Sequence, residues 1–363
     1  MSAPPFIGNQ RVAATLRRMV AEERLPQTLL FAGPRGVGKA TLARHLAAAM
    51  NCPASRAGEP CGECSNCRRT LEADLSKESY QKLFEERLKL TAAKRLENPL
   101  IVATHPDFLT FPPDGPLQMI SIEQARRLKD AARFGPSEGK RRVFLVDHAD
   151  RANEEAANSL LKTLEEPAES LTVILTASNP YELLPTIRSR SIPFYFGTLT
   201  PSEMQQFFDT RPELDQRERE RLAGWSDGSP GKALSLDAEE YTERRGTMLA
   251  ILRTALGSGS FAELLAHTEN IGRKRQHKFD LLVDSAQGLL QDLVHLKLGT
   301  PGLINEDLRE ELQPMAARLT FDWVEKAAAE LDELVRLERR NIQKQIALES
   351  LAVSLRHAAV RSS

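Results

Sequence analysis

Residues 33–39 read GPRGVGK, with Gly33, four further residues including Gly36, then Gly38 and Lys39. Glycines let a backbone turn tightly and gather several N–H groups, and an adjacent lysine adds a cation, so this spacing suits a phosphate cradle at a helix start. The pattern ordinarily closes with Ser or Thr, whose hydroxyl ligates magnesium, but the next residue here is Ala40. Thr41 follows, one helical residue further and so turned about 100° from the phosphate side. The stretch RVFLVDHAD, 142–150, supplies a second element. Asp147 closes its apolar run where a carboxylate would serve magnesium, and His148 stands where a further acid would polarise water. Histidine can act as a base but brings no negative charge to a γ-phosphate. The expected nucleotide set is Gly33, Gly36, Gly38, Lys39, Thr41 and Asp147, holding ATP or ADP. Magnesium is poorly provided for and hydrolysis is not expected. The plain alternative is a glycine turn that merely joins a strand to a helix.

The four cysteines, Cys52, Cys61, Cys64 and Cys67, all fall within 16 residues. Two-residue gaps let neighbouring thiolates face one ion, and four thiolates close a tetrahedral shell, the pattern of structural zinc. Free thiols or an iron–sulfur cluster are the alternatives. Zinc would fold an excursion too poor in apolar residues to fold alone. A DNA-reading zinc finger is disfavoured, because no basic recognition helix follows.

The elements that must carry these groups follow from periodicity. A helix fits 9–23 with Val12, Leu16, Met19 and Val20 on one stripe, QTLLF reads as a buried strand, and KATLARHLAAAM as the helix after the glycines. A charged stretch at 77–97 repeats Tyr80, Phe84, Leu88 and Leu96 at helical spacing until Pro99. Then PDFLTF, SIEQARRLKDAARF, RVFLVD, NEEAANSLLKTLEE, LTVILTAS and SIPFYF alternate between strand and helix, apart from the last two. Near-continuous apolar strands in this order imply an α/β fold, a parallel sheet with helices on both faces. Leu160, Leu161 and Leu164 would pack a helix on that sheet. Beyond about residue 200 only helices are expected, for example 320–339 with Val324, Ala327, Leu331, Leu334 and Val335 in a stripe. The expected division is an α/β domain at 1–197, a small helical domain at 198–240 and a helical domain at 241–363. Turns are expected at Gly228, Pro230 and Gly231 and at 256–260.

At 363 residues, 41% hydrophobic and 27% charged, the chain has the composition of an ordinary globular protein. Its apolar runs are strand-sized, no basic start precedes an apolar leader, and the chain reads as cytoplasmic, away from membranes. The 49 Lys and Arg nearly balance 50 Asp and Glu, which argues against coating DNA by bulk charge.

Together, GPRGVGK, the four cysteines, HPDF at 105–108, VDHADRANEEAANSLLKTLEEP at 146–167 and LPTIRSRSIPF at 184–194 closely resemble the delta-prime family of bacterial clamp-loader subunits of DNA polymerase III, within the AAA+ superfamily. GSPGKAL at 228–234 and NIQKQIALESL at 341–351 resemble it more weakly. The resemblance implies an AAA+ core with a zinc module at 52–67, a helical lid and an all-α collar that joins a five-subunit ring with motor and clamp-opening subunits. Such a ring places a sliding clamp on primer-template DNA; this chain would be a non-hydrolysing stator within the polymerase (nucleotidyltransferase) holoenzyme. Ser189, Arg190 and Ser191 match the family's Ser-Arg-Cys motif, which makes Arg190 an arginine finger acting in trans. Ser178 and Asn179 match a polar sensor at a strand tip, a simple strand-ending turn being the bland reading. Gly231 stands where the motor subunits carry a lid arginine. Residues 71–104 have no counterpart in the family pattern, and an exposed helical hairpin is the default expectation. An active gamma-type clamp-loader ATPase and a zinc-dependent DNA-binding protein are the competing functions.

Overall fold

The structure, a computed structural model, describes residues 6–273, 279–338 and 343–361. Arg339, at the end of the helix expected over 320–339, and Asn341 and Ile342 of NIQKQIALESL lie outside them. The chain forms two compact units, Met1–Pro212 with Gly228–Gly231, and Glu213–Asp227 with Lys232–Ser363.

In the first unit, helix α1 (Gln10–Ala21) leads to strand β1 (Thr28–Ala32), α2 (Lys39–Asn51), α3 (Ser65–Glu72), α4 (Glu78–Leu88) and α5 (Ala92–Glu97). Then come β2 (Val102–His105), β3 (Phe108–Phe111), α6 (Ile122–Ala131), β4 (Arg142–Val146), α7 (Glu154–Glu165), β5 (Leu171–Ala177), α8 (Pro185–Ser189), β6 (Ile192–Tyr195) and α9 (Pro201–Asp209). The six strands form one sheet in the order β2-β3-β4-β5-β1-β6. All pairings are parallel except β2 with β3, which is antiparallel. Every residue of β1 and β5 is buried, as expected for central parallel strands covered on both faces. Alternation assigns the faces: Leu29 and Phe31 pack with Leu42 and Leu46 of α2, whereas Leu30 and Ala32 pack with Leu128 of α6 and Leu160 and Leu164 of α7. The α/β class expected from the sequence is the one observed, with an antiparallel edge strand added.

The charged, helix-patterned stretch at 77–97 forms two helices, α4 and α5. Thr91 breaks it by capping α5, its side chain accepting from the N–H of Lys94. Neither α4 nor α5 contains a fully buried residue. Tyr80 of α4 packs against the core on the Leu29 and Phe31 face of the sheet, and Arg87 ties the helix further: its guanidinium meets Asp114 at 2.5 Å and donates to the Asn98 carbonyl at 2.8 Å.

The second unit is helical among its described residues. It contains α10 (Gln216–Trp225), α11 (Pro230–Ser235, which begins in the first unit), α12 (Ala238–Ala255), α13 (Phe261–Arg273), α14 (Phe279–Leu298), α15 (Arg309–Arg318), α16 (Phe321–Glu338) and α17 (Lys344–Arg361). Leu252, Leu289, Leu312, Trp323, Leu331 and Leu355 belong to one core, and the Trp323 indole N–H donates to the Leu355 carbonyl at 3.0 Å. No described helix is long and apolar enough to cross a membrane.

Candidate functional site: phosphate loop, cysteine cluster and Arg190

Strand β1 delivers the chain into the glycine loop, and the backbone there explains the glycines. Gly33 has φ +145°, and a Cβ on it would stand 2.2 Å from the Phe196 carbonyl oxygen. Gly38, at φ +95°, occupies the left-handed position that starts α2, where a Cβ would meet the Phe6 ring at 2.9 Å. Lys39, the first residue of α2, is buried and turns its ammonium back onto the loop, donating to the carbonyls of Gly33 at 2.5 Å and Pro34 at 2.6 Å. Burial pushes its pKa down to about 8 against the opposing pull of Asp147 and Asp150. Ala40 is partly buried against the core beneath the loop. The Thr41 hydroxyl accepts from the buried Arg44 guanidinium at 3.3 Å.

Asp147, just beyond β4, accepts at 2.6 Å from the hydroxyl of Thr176 on the neighbouring β5. That hydroxyl in turn accepts the His148 N–H at 2.8 Å. His148 adopts the left-handed φ of +53°, uncommon for a residue with a side chain. Burial pushes its imidazole pKa below the ordinary value, which favours the neutral ring. Asp150 was not singled out from the sequence. It is buried, and one carboxylate oxygen accepts from the N–H groups of Ser178 at 2.8 Å and Asn179 at 3.2 Å. It therefore fixes the tip of β5. Its other oxygen, the Ser178 hydroxyl and His148 Nδ1 are buried with no hydrogen-bond partner among the described residues. The Asn179 side chain caps the following turn, accepting from the Tyr181 N–H at 3.0 Å. The second acid in VDHAD was the available signal for Asp150; its partners, 28 and 29 residues later, left none.

The segment around Gly231 meets the loop's own backbone. The Ser229 hydroxyl donates to the Arg35 carbonyl at 2.7 Å, and the Gly231 N–H donates to the Gly36 carbonyl at 2.8 Å. A Cβ at 231 would stand 2.7 Å from the Gly36 Cα, so the backbone contact itself requires glycine there.

The cysteines gather at the opposite end of α2. Cys52 is its C-terminal cap, and Cys64 caps α3, accepting the Cys67 N–H. The four sulfurs lie within 4.8 Å of one another, with Cys61 to Cys67 and Cys52 to Cys64 at 3.9 Å. A tetrahedron with metal–sulfur bonds of about 2.3 Å has sulfur–sulfur edges of about 3.8 Å, so the cluster fits a four-thiolate ion such as zinc. The Cys64 and Glu63 N–H groups pull the Cys61 thiol pKa down to about 6, whereas burial pushes Cys67 up. A bound cation is what would hold the latter as thiolate.

Arg190 follows α8 and is exposed. Its guanidinium pairs with Glu165 at 2.7 Å and donates to the Thr186 carbonyl at 3.0 Å. Ser191 is buried and its hydroxyl donates to the Ile187 carbonyl at 2.8 Å.

A glycine loop between a buried parallel strand and its helix, faced by a carboxylate at a nearby strand end, defines a phosphate-loop α/β core, here carrying a four-cysteine module. Residues 8–200, more than half of the chain, match the family model described as DNA polymerase III, delta subunit, and the chain belongs to that family. It is 28% identical over 331 residues to the DNA polymerase III subunit delta' of Pseudomonas aeruginosa, covering 89% of this chain and 90% of that one. It is 29% identical over 259 residues to the DNA polymerase III subunit tau of Escherichia coli, covering 68% of this chain but only 35% of the relative. The chain thus spans about a third of that tau protein's length. A gamma subunit-related protein of DNA polymerase III from Thermotoga maritima, among solved structures, aligns at a TM-score of 0.37 and 16% identity, over 96% of this chain and 99% of that one.

Proposed function

We propose that this chain is a delta-prime-like clamp-loader subunit that does not hydrolyse ATP itself and donates Arg190 to the nucleotide site of a neighbouring motor subunit. The observation that carries this reading is the contrast within the loop. The glycines and Lys39 keep the shape of a phosphate cradle, while Ala40 packs into the core and His148 is held where burial favours a neutral ring. Neither can supply the magnesium ligand or the charge that directs an attacking water. The correspondence with the delta' relative over nearly the whole of both chains supports the same reading against a gamma-type ATPase.

In this proposal Gly33, Gly36, Gly38, Lys39, Thr41 and Asp147 surround ATP or ADP, Ser178 and Asn179 take the sensor position, and Cys52, Cys61, Cys64 and Cys67 hold structural zinc. Arg44 already occupies the Thr41 hydroxyl, which leaves that hydroxyl the weakest member of the set. Residues 1–197 act as the AAA+ core, 198–240 as the lid and 241–363 as the collar of a five-subunit cytoplasmic ring. The sliding clamp and primer-template DNA are reached through that ring. When bound, the nucleotide would supply polyphosphate charge for Lys39 and the loop N–H groups to neutralise.

The purified chain is expected to show no magnesium-dependent ATPase activity. In a ring reconstituted with tau/gamma-type and clamp-opening subunits, Arg190→Ala should lower turnover without weakening assembly. Turnover by the isolated chain that Lys39→Ala abolishes would overturn the stator reading.

A further inference from the structure

An arginine finger works through guanidinium N–H groups free to meet phosphate oxygens. In this chain those of Arg190 are turned onto its own fold. Nη2 meets the Glu165 carboxylate at 2.7 Å, while Nη1 donates to the Thr186 carbonyl at 3.0 Å and reaches the Ser189 hydroxyl at 3.4 Å. Glu165 is the last residue of α7, so the negative end of that helix adds to the attraction for a cation. The neighbouring Arg188 is occupied differently, stacked 5.2 Å from the Tyr181 ring centre.

We propose that Glu165 is a positioning residue that latches Arg190 against α7 and competes for it with the polyphosphate of a neighbouring nucleotide site. This rests on the proposed trans role of Arg190. With side-chain exposures of 35% for Arg190 and 44% for Glu165, the pair is solvated. Pairs of this kind shift an equilibrium by up to about fivefold, a contribution of about 1 kcal/mol. One carboxylate is therefore exchanged readily for a triphosphate of several charges, yet it keeps the guanidinium folded back where no anion is presented. The latch is local: Glu165 and Arg190 lie on consecutive helices of one unit, α7 and the end of α8, so no rearrangement of the sheet is needed to open it.

The test is a double-mutant cycle on the full-length chain in a ring reconstituted with the tau/gamma-type and clamp-opening subunits of the same cell. ATP turnover and assembly are measured for Glu165→Gln, Glu165→Ala, Arg190→Ala and the two double variants. The latch predicts that both Glu165 variants raise kcat/KM for ATP, by up to about fivefold, with assembly unchanged, and that the gain disappears in the Arg190→Ala background. A rise is a direction that loss of structural support does not produce. If Arg190→Ala lowers turnover while both Glu165 variants match the unmodified chain, or if their effect persists without Arg190, the latch is wrong and the trans role stands. If Arg190→Ala leaves turnover unchanged, the trans role fails and the latch with it.

Discussion

Helix α2, 13 residues and so about 20 Å long, carries a different polar site at each end. At its C-terminal end four thiols converge within 4.8 Å, and backbone N–H groups of the same module already point at the sulfurs of Cys52, Cys61 and Cys64. The shell is closed, which suits an ion bound for the lifetime of the fold. At the N-terminal end the Ser229 hydroxyl donates to a loop carbonyl, and Lys39 satisfies itself on its own loop's carbonyls. In the proposed function those lysine contacts would be exchanged for a ligand's phosphates. The comparison separates a closed shell suited to one permanent ion from a loop that, in the proposed function, would take an anion that comes and goes.

The largest effect is expected at the closed end. Cys67→Ser removes the fully buried ligand and should abolish stoichiometric zinc, with a loss of stability on the order of 4 kcal/mol; metal analysis and chemical denaturation of the same preparation check it. An unchanged metal content would mean the closed shell is not the binding site. At the open end, Gly33→Ala would place a methyl 2.2 Å from the Phe196 carbonyl oxygen at a strained φ, and a destabilisation of about 3 kcal/mol is expected from denaturation midpoints. If it cost no more than an ordinary surface substitution, the loop would be adaptable rather than pre-shaped.

The smallest effect is electrostatic. The Lys39 pKa of about 8 lies below the ordinary lysine value of 10.5, so between these values the unfolded chain holds more protons, and this group's contribution to stability rises with pH across that window. Anion binding should run the other way, weakening as pH passes upward through about 8 and the ammonium is lost. Calorimetric titration with ADP at pH 7 and pH 9 reads this directly. Equal affinities would place Lys39 outside the anion site.

Both ends were visible as motifs because each depends on residues close in sequence: three glycines and a lysine in seven positions, four cysteines in sixteen. The α/β class was visible too, since buried parallel strands are continuous apolar runs. Strand β2 was missed. It is four residues long with only Val102 and His105 buried, and its identity comes from pairing with the edge of β3. The cap at Thr91 that divides the helical stretch at 77–97 was not read from the sequence, because Leu88 and Leu96 keep helical spacing while both stay exposed.

What the sequence alone determined was the inventory: a loop able to turn because its residues have no Cβ, a metal shell set by thiol spacing, and the absence of a hydroxyl at position 40. These are properties of residue type and short separation. The tertiary structure decided which groups are already engaged. Asp150 holds the tip of β5, Gly231 is pressed against Gly36, and Glu165 holds Arg190, through contacts 25 to 195 residues apart in the chain. No local pattern records such pairs, since they exist only once the sheet and its helices have brought distant backbones within hydrogen-bond reach.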